Sequence, residues 1–266
     1  MILNFNRLGL GHPLIILHGL YGSGDNWLTI AKGLSSVCEV YLVDQRNHGR
    51  SFHSDIHDYK SMAGDLKELM DSLEIRHAVI LGHSMGGKTA MHFAAENPAR
   101  VTKLIIADIS PRTYHDQSSD LLESDNHGTI LRSLLSLDLQ SVNSLGDANA
   151  KLKETIPDKQ FRQFLLKNLD RNPESGFRWR LNLTVLLDNL TNLSAGMEQY
   201  LNAGISFIQH PTLFIRGEQS NYISEADLLM IRQLYPLAQV VTIKNTGHWL
   251  HAEQPATFIS VVKKFL

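Results

Sequence analysis

The stretch LGHSMGGKTA, residues 81–90, fits two motifs that predict unrelated chemistry. As G-x-S-x-G, Gly82 to Gly86 is a nucleophile elbow that places Ser84 on a sharp turn between a strand and a helix. As G-x-x-x-x-G-K-[ST], Gly82 to Thr89 is a phosphate-binding loop in which Lys88 contacts a nucleotide. One interpretation makes Ser84 a nucleophile and the other makes Lys88 a phosphate ligand, so the rest of the chain has to decide.

The local context suits both motifs, but the wider context favours the elbow. The apolar run 78–82 predicts a strand before the motif, and a helix is predicted from Ser84 to Glu96. The next predicted strand, 101–108, even ends in an aspartate, as in many nucleotide sites. However, two strands precede the motif, whereas a phosphate-binding loop usually follows the first strand, and no further part of a nucleotide site can be identified.

The composition is that of an ordinary globular protein and excludes several classes of partner. The chain has 266 residues, of which 43% are hydrophobic and 20% charged, with a net charge of −2 and a pI of about 6.7. Without a basic field we expect no nucleic-acid partner, and without a continuous apolar segment we expect neither a signal peptide nor membrane insertion. The single cysteine, Cys38, cannot form an intramolecular disulfide, and a cytoplasmic location is the default expectation. The oligomeric state is left open.

Strands and helices alternate along the chain, and this order predicts an α/β fold. Apolar strands are predicted at 14–19, 38–44, 78–82, 101–108, 212–217 and 239–244. Because uninterrupted apolar strands need cover on both faces, we expect a mostly parallel sheet with helices on both faces. Residues 115–205 show helical runs without a convincing buried strand. We therefore expect a core of residues 1–114 and 206–266, with 115–205 as a helical cap insertion over the carboxyl ends of the strands.

The elbow interpretation gives chemical roles to separate stretches of the chain. HGLYGS, residues 18–23, ends a strand, so that the backbone N–H groups of Leu20 and Met85 could bind an oxyanion together. NTGHW, residues 245–249, places His248 directly after the last strand, where it could act as the base for the serine. The order nucleophile, acid, histidine along the chain is typical of one class of hydrolase.

Four stretches together, HGLYGSGDNW, DQRNHGRS, GHSMGGK and NTGHWLHAEQP, resemble the α/β-hydrolase superfamily. The resemblance is strongest to small bacterial esterases of the YbfF type, which act on acyl esters and acyl-CoA thioesters. It implies the α/β-hydrolase fold, an acyl-enzyme mechanism, a small-molecule acyl ester or acyl-CoA substrate, and no cofactor or metal. In this interpretation Lys88 is an ordinary helix residue. A carbon–carbon bond hydrolase, a cofactor-free haloperoxidase and a low-turnover receptor of the same fold remain alternatives.

The acid that orients the histidine has two candidates. In many α/β hydrolases it follows the strand after the cap, but Ser220 stands at that position here, and a hydroxyl cannot stabilise an imidazolium as a carboxylate does. Asp108 ends the strand after the elbow, which chain topology places beside the nucleophile strand. The resemblance implies the same choice, with Ser84, Asp108 and His248 as catalytic triad and Ser220 as a supporting hydrogen-bond partner. Glu218, the only carboxylate in the later loop, is the alternative acid.

Other polar stretches are assigned structural roles. We expect the turn DQRNHGRS, residues 44–51, to brace the loops around the elbow, and His83 to pack rather than react. His251 is expected at the surface or behind His248. The histidines and aspartates at 48–58 fit no familiar metal-ligand spacing, so no metal site is predicted.

Overall fold

A computed structural model describes residues 1–114, 127–172 and 176–266. The strands in these ranges are β1 Phe5–Leu8, β2 Pro13–Leu17, β3 Glu39–Val43, β4 Ala78–His83, β5 Val101–Ala107, β6 Leu169–Asn172, β7 Gly176–Trp179, β8 Thr212–Gly217 and β9 Gln239–Ile243. The helices are α1 Leu28–Leu34, α2 Tyr59–Ser72, α3 Met85–Glu96, α4 His127–Leu135, α5 Leu145–Lys151, α6 Lys159–Leu166, α7 Leu183–Asp188, α8 Leu190–Ser194, α9 Glu198–Asn202, α10 Asp227–Leu234, α11 Leu250–Glu253 and α12 Pro255–Phe265. None of them has both the length and the apolar character needed to cross a membrane.

A seven-stranded sheet in the order β1-β3-β2-β4-β5-β8-β9 forms the centre of the described structure. Neighbouring strands run parallel except β1, which pairs antiparallel with β3 at one edge. The sequence did not predict β1, because Asn6 and Arg7 are exposed and leave no apolar run. β4, which leads into the elbow, is buried along its whole length between β2 and β5. The carboxyl ends of these three strands therefore meet at one edge of the sheet.

Helices cover both faces of the sheet, as predicted. On one face, Leu66 of α2, Phe93 of α3 and Ile231 of α10 pack in one hydrophobic cluster with the strands. On the other face, Ile30 of α1 and Phe258 of α12 pack in a second cluster. All five side chains are almost fully buried, and burial of each stabilises the fold by roughly 1.5–3 kcal/mol. The mostly parallel sheet between two helical layers confirms the predicted fold class.

The segment between β5 and β8 packs against the loops at the carboxyl edge of the sheet. Its helices share a hydrophobic cluster that contains Leu131, Leu165 and Leu186 together with Tyr21 of the core. The sequence predicts only helical runs here, whereas the structure also has an antiparallel hairpin of β6 and β7. The residues of β7 alternate between exposed and half-buried, which gives no apolar run to detect. Residues 115–126 and 173–175 of the predicted cap lie outside the described residues, and its proposed boundaries remain a prediction.

At the turn between β4 and α3, the backbone atoms of neighbouring segments are in direct contact. A Cβ atom on Gly82 would lie 2.1 Å from the carbonyl oxygen of Gly86, and one on Gly86 would lie 2.3 Å from that of Leu17. Both distances are shorter than any tolerated contact between such atoms. The two glycines of the motif therefore allow α3 to begin directly against β4 and β2, which holds the start of this helix at the carboxyl edge of the sheet.

Alanine substitutions at two glycines distinguish the effect of this close packing on stability from the effect of helix propensity. We expect Gly82→Ala to lower the free energy of unfolding by about 3 kcal/mol, because the added methyl group meets backbone atoms. Gly64→Ala, inside α2, adds a methyl group where nothing lies within 4 Å, and should raise the same free energy by roughly 0.5–1 kcal/mol. Urea denaturation measures both values, and equal stability of the two variants would contradict the packing.

Candidate active site

Ser84 occupies the turn between β4 and α3 in a strained backbone conformation. Its φ is 53° and its ψ is −122°, a combination that residues with side chains rarely adopt. Its N–H donates to the carbonyl oxygen of Ala107, at the end of β5, over 3.0 Å. The side chain is half-buried and borders a cavity. The turn therefore presents the hydroxyl to a ligand instead of packing it into the core.

Two backbone N–H groups near Ser84 are available to an oxyanion. Those of Leu20 and Met85 have no hydrogen-bond partner among the described residues. Met85 is the first residue of α3, where N–H groups lack a partner within the helix and carry partial positive charge. Leu20 follows Gly19, which is so close to the nucleophile that a Cβ there would lie 3.1 Å from Cβ of Ser84. This placement supports the role predicted for the two N–H groups.

Two buried histidines hold the loop that carries Leu20, and His18 is the first. Gln45 N–H donates to Nε2 of His18 over 3.0 Å, so Nδ1 carries the proton of the neutral ring. Nδ1 in turn donates to the carbonyl oxygen of Gly19 over 2.8 Å. Burial lowers the pKa of His18 and keeps the ring neutral, which it must be to accept the bond from Gln45.

His48 braces the same loop from the turn at residues 44–51. Tyr21 N–H donates to its Nε2 over 3.3 Å, and its Nδ1 donates to the carbonyl oxygen of Arg46 over 2.9 Å. Tyr21 has a φ of 63°, so this bond supports an unusual backbone conformation directly after Leu20. Burial holds the pKa of His48 well below its usual value, again as a neutral acceptor. The turn thus takes the bracing position expected for it.

His248 and Asp108 are in direct contact. Nδ1 of His248 lies 2.9 Å from Oδ2 of Asp108, and the ring is the donor. The carboxylate is fully buried and also accepts the N–H of Gly217 over 2.9 Å and the hydroxyl of Ser220. Asp108 has a φ of 50°, which aspartate tolerates better than most residues. Three donors from two loops therefore hold this carboxylate in one orientation.

Glu218, the alternative acid, has a different partner. It is exposed, and its Oε2 accepts the N–H of Asn245 over 2.9 Å. Asn245 has a φ of 54°, so Glu218 stabilises the tight turn that leads to His248. The geometry favours Asp108 as the partner of the histidine and gives Glu218 a structural role.

Aromatic rings confine the imidazole of His248. Tyr222 stacks on it with ring centroids 3.9 Å apart. His83 lies 4.6 Å away and donates from Nε2 to the carbonyl oxygen of His248 over 2.9 Å. His251 is buried, stacks on Trp27 at 4.0 Å and lies 4.7 Å from His83, so it takes the second of the two expected positions, behind His248, and not the surface position. After His248, α11 turns the chain back onto the core, so that the ring of His251 stacks on the face of Trp27.

Burial keeps these neighbouring histidines neutral. The pKa of His83 is held well below its usual value by loss of solvation and, secondarily, by His248. The same two causes lower the pKa of His251 to about 3 and that of His127 to about 4. These rings therefore act near neutral pH as packing and hydrogen-bonding groups.

The cavity at Ser84 has two lobes, which share Leu20, Ser84, His127 and Tyr222. The small lobe, of about 40 Å³, is bordered by His248 and by the aromatic rings of Trp27, Phe161, Phe164 and Trp249. The large lobe, of about 270 Å³, is bordered by Tyr59, Met85, Ile109, Tyr114 and, from α8, Leu190, Thr191, Leu193 and Ser194. Ser84 thus stands at the junction of an aromatic compartment and a larger, mainly apolar one.

Sequence reasoning missed Tyr222 and His127, which border both lobes. The hydroxyl of Tyr21 lies 3.1 Å from Nδ1 of His127, so the segment between β5 and β8 contacts the loop next to Leu20. Neither residue belongs to a motif. Their positions depend on how distant loops and the cap meet, and no local pattern signals that.

No metal site is found in the part of the chain that the structure describes. In those ranges no group of three or more histidine, cysteine or acidic side chains is arranged to hold an ion. Within the polar segment at 48–58, Nδ1 of His57 lies 3.3 Å from Nδ2 of Asn47. The neighbouring Arg46 forms a buried ion pair with Asp65. These contacts give Asn47 and Arg46 structural roles in the loop.

The fold and the site together define an α/β hydrolase, and the chain belongs to that family: the family described as alpha/beta hydrolase fold matches residues 12–255. Its relatives include a "Putative esterase/lipase" of Haemophilus influenzae, 36% identical over 253 residues, which cover 95% of this chain and 82% of the relative. The Escherichia coli "Esterase YbfF" is 32% identical over 254 residues, covering 96% and 92% of the two chains. The resemblance to α/β hydrolases of the YbfF type is therefore confirmed.

A solved structure and a lipase extend the comparison. The structure of a "Marine microorganism esterase" superposes with a TM-score of 0.93 at 43% identity and covers 100% of this chain and 99% of its own. The "sn-1-specific diacylglycerol lipase ABHD11" of Danio rerio is 35% identical over 270 residues, which cover 98% of this chain and 80% of the relative. The relatives thus support a hydrolase of the esterase and lipase class.

The neutral buried histidines lead to a pH-dependent stability. An unfolded histidine takes up a proton near pH 6.5, whereas His57 and His251 in the folded protein stay neutral down to about pH 3. Between these values the unfolded state binds more protons. The free energy of unfolding is therefore largest above about pH 6.5 and falls as the pH decreases, by up to about 1.4 kcal/mol per pH unit for each histidine. Urea denaturation at several pH values from 7 down to 5 measures this slope.

The matched variant for this prediction is His57→Gln, which removes one buried titrating ring away from Ser84. Its slope should be smaller than that of the wild type by the contribution of one proton. A free energy of unfolding that does not change between pH 7 and pH 5 would contradict the neutral burial of these rings.

Proposed function

We propose that the protein is a serine esterase in which Ser84, His248 and Asp108 form a catalytic triad. The observation that carries the proposal is the hydrogen bond between His248 and the buried Asp108, with His248 and Ser84 bordering the same small lobe. An imidazole that is oriented by a carboxylate can activate a serine hydroxyl for acyl transfer. The esterase and lipase relatives support the same class of reaction.

The first half of the proposed reaction transfers the acyl group to the enzyme. Nε2 of His248 removes the proton from Oγ of Ser84 as this oxygen attacks the ester carbonyl carbon. The carbonyl oxygen becomes an oxyanion and accepts hydrogen bonds from the N–H groups of Leu20 and Met85. The intermediate then breaks its bond to the leaving oxygen, which takes the proton from Nε2 and departs as the alcohol. An ester between the acyl group and Ser84 remains.

The second half releases the acid. His248 removes a proton from water, whose oxygen attacks the acyl carbon, and Oγ of Ser84 leaves with that proton. Asp108 does not take the proton; it keeps Nδ1 of His248 protonated and stabilises the imidazolium. Ser220 supports this step, because its hydroxyl donates to the carboxylate that must stay aligned with the ring.

In this proposal the two parts of the ester occupy different lobes of the cavity. The leaving oxygen must lie near His248, which borders only the small lobe, whereas Met85 borders only the large one. The acyl chain therefore extends into the large lobe. The large lobe, of about 270 Å³, offers an acyl chain more room than the small lobe of about 40 Å³ does. Each buried methylene group contributes about 0.8 kcal/mol to binding.

The leaving group is proposed to be an uncharged alcohol. No lysine or arginine is among the described residues that border either lobe, so a phosphate inside the cavity would have no cationic partner. An acyl-CoA thioester is the second proposed substrate, with its phosphates outside the small lobe.

Replacement of the nucleophile tests the reaction. We expect the wild type to hydrolyse p-nitrophenyl esters, with a preference for chains longer than acetyl, and kcat/KM to fall at least about a thousandfold in Ser84→Ala. Steady-state rates on p-nitrophenyl esters and acyl-CoAs of rising chain length measure both, and thermal unfolding controls for folding. Undiminished turnover in Ser84→Ala would refute the assignment. Wild-type inactivity on every substrate would instead favour a carbon–carbon bond hydrolase or a small-ligand receptor.

A matched pair of substitutions tests the acid. Asp108→Asn should lower kcat by about four orders of magnitude, because an amide stabilises the wrong tautomer of His248 and cannot stabilise the imidazolium. Glu218→Gln removes the same charge at a site that contacts Asn245, and we expect its kcat to stay close to the wild-type value. The same ester and the same pH are used for both variants. A wild-type rate in Asp108→Asn would show that another group orients the histidine.

A further inference from the structure

Lys88 is a buried lysine in the helix that begins beside the nucleophile, and the proposed reaction does not use it. It lies four residues after Ser84 in α3, and its backbone N–H donates to the carbonyl oxygen of Ser84 over 3.1 Å. The residue is only 1% exposed. A buried lysine cannot bind a nucleotide from solution. The match to the phosphate-binding motif therefore does not explain why a lysine occupies this position.

The amino group of Lys88 binds the two chain segments that connect the sheet and the cap insertion. Nζ of Lys88 donates to the carbonyl oxygen of Ala195 over 2.8 Å and to that of Arg112. Arg112 lies on the segment that leaves the sheet after β5, and Ala195 lies on the segment that returns after α8. The ring of Tyr114 lies 5.1 Å from Nζ and adds a cation–π contact. One side chain of the nucleophile helix therefore holds both crossings between sheet and cap.

These two segments, residues 110–114 and 194–198, form what we call the cap neck. They are joined to each other by backbone hydrogen bonds, from Tyr114 N–H to the Ser194 carbonyl at 2.8 Å and from Met197 N–H to the Pro111 carbonyl at 2.7 Å. The cap neck thus consists of two chain segments that are joined by hydrogen bonds, and Lys88 attaches each of them to α3.

Directed hydrogen bonds, rather than an ion pair, account for the burial of Lys88. The nearest acids are engaged elsewhere: Asp227 pairs with Arg112 at 2.9 Å, and Glu198 accepts the hydroxyl of Thr113 over 2.8 Å. Burial lowers the pKa of Lys88 to about 7. A buried amine is costly unless its donors are used, and here they are used on the neck.

We propose that Lys88 is a positioning residue that fixes the cap neck relative to Ser84 and thereby selects the acyl chain. The cap side of the large lobe is bordered by Tyr114, two residues after Arg112, and by Ser194, directly before Ala195. A displaced neck changes this wall while the oxyanion donors, which belong to other elements, stay in place. The selectivity part of this proposal rests on the proposed function, whereas the attachment of the neck does not.

Two lysine substitutions provide the test. Lys88→Met removes the donors and keeps most of the apolar stem. Lys103→Met is the matched control, because Nζ of Lys103 also donates to two carbonyl oxygens, those of Phe265 at 2.7 Å and Leu266, and lies 5.4 Å from the Phe265 ring. Lys103 lies near the opposite end of β5, away from the neck. The measurements are kcat/KM for p-nitrophenyl acetate and octanoate, and backbone hydrogen exchange followed by mass spectrometry.

The expected results differ between the two variants. In Lys88→Met the ratio of octanoate to acetate kcat/KM should fall at least about tenfold, through a higher KM for octanoate, and the neck amides should exchange at least about tenfold faster. In Lys103→Met both quantities should stay within about twofold of the wild type. Exchange in β4 and β5 should be unchanged in Lys88→Met. An unchanged ester ratio, or neck exchange as slow as in the wild type, overturns the proposal.

Two further experimental outcomes also have defined consequences for the proposal. If the wild type hydrolyses no ester, the selectivity part falls with the proposed function, and neck exchange alone decides whether Lys88 holds the cap. If Lys88→Met does not fold, Lys88→Gln takes its place, because its shorter side chain cannot reach both carbonyl oxygens that Nζ of Lys88 binds. The same change in ester ratio and neck exchange must then appear, and its absence overturns the proposal.

Discussion

The strained backbone of Ser84 persists because the chain on both sides of it has no room to relax. β4 enters the turn fully buried, and α3 leaves it at backbone contact through Gly82 and Gly86. The N–H of Ser84 is bonded to Ala107, at the end of the neighbouring strand. A single turn therefore fixes the serine, the N–H of Met85 and the start of the segment that carries the acid. The other groups of the site are positioned relative to this turn.

The carboxylate of Asp108 joins parts of the chain that are far apart in sequence. A buried carboxylate is stable only when donors surround it, and here the donors are Gly217, Ser220 and His248. β5 and β8 are hydrogen-bonded neighbours in the sheet. The carboxyl end of either strand can therefore present an acid to a histidine that follows β9. With Ser220 in the loop after β8, the carboxylate comes from the residue after β5 and the hydroxyl supports it.

Several polar side chains are buried around the site, and each forms hydrogen bonds to backbone groups of another chain segment. His18 and His48 accept backbone N–H groups as neutral rings and so hold the loop that carries Leu20. Lys88 donates to carbonyl oxygens on both segments of the cap neck. Each of these contacts joins two chain segments at a defined distance, which an apolar side chain of the same size cannot do. The loops and the cap around the serine are thereby held without additional charge next to His248.

The order of strands and helices, the elbow at Ser84 and the histidine after the last strand could all be predicted from the sequence, because each depends on a local pattern. The edge strand β1 and the hairpin of β6 and β7 could not, since half-exposed strands form through pairing and leave no apolar run. The sequence by itself thus determined the architecture and the candidate nucleophile. Only the tertiary structure decided that Asp108 rather than Glu218 contacts His248, 140 residues away, and that Lys88 binds the cap neck. Such contacts depend on which strand ends and loops meet at the sheet edge, and this is settled only when the whole core packs.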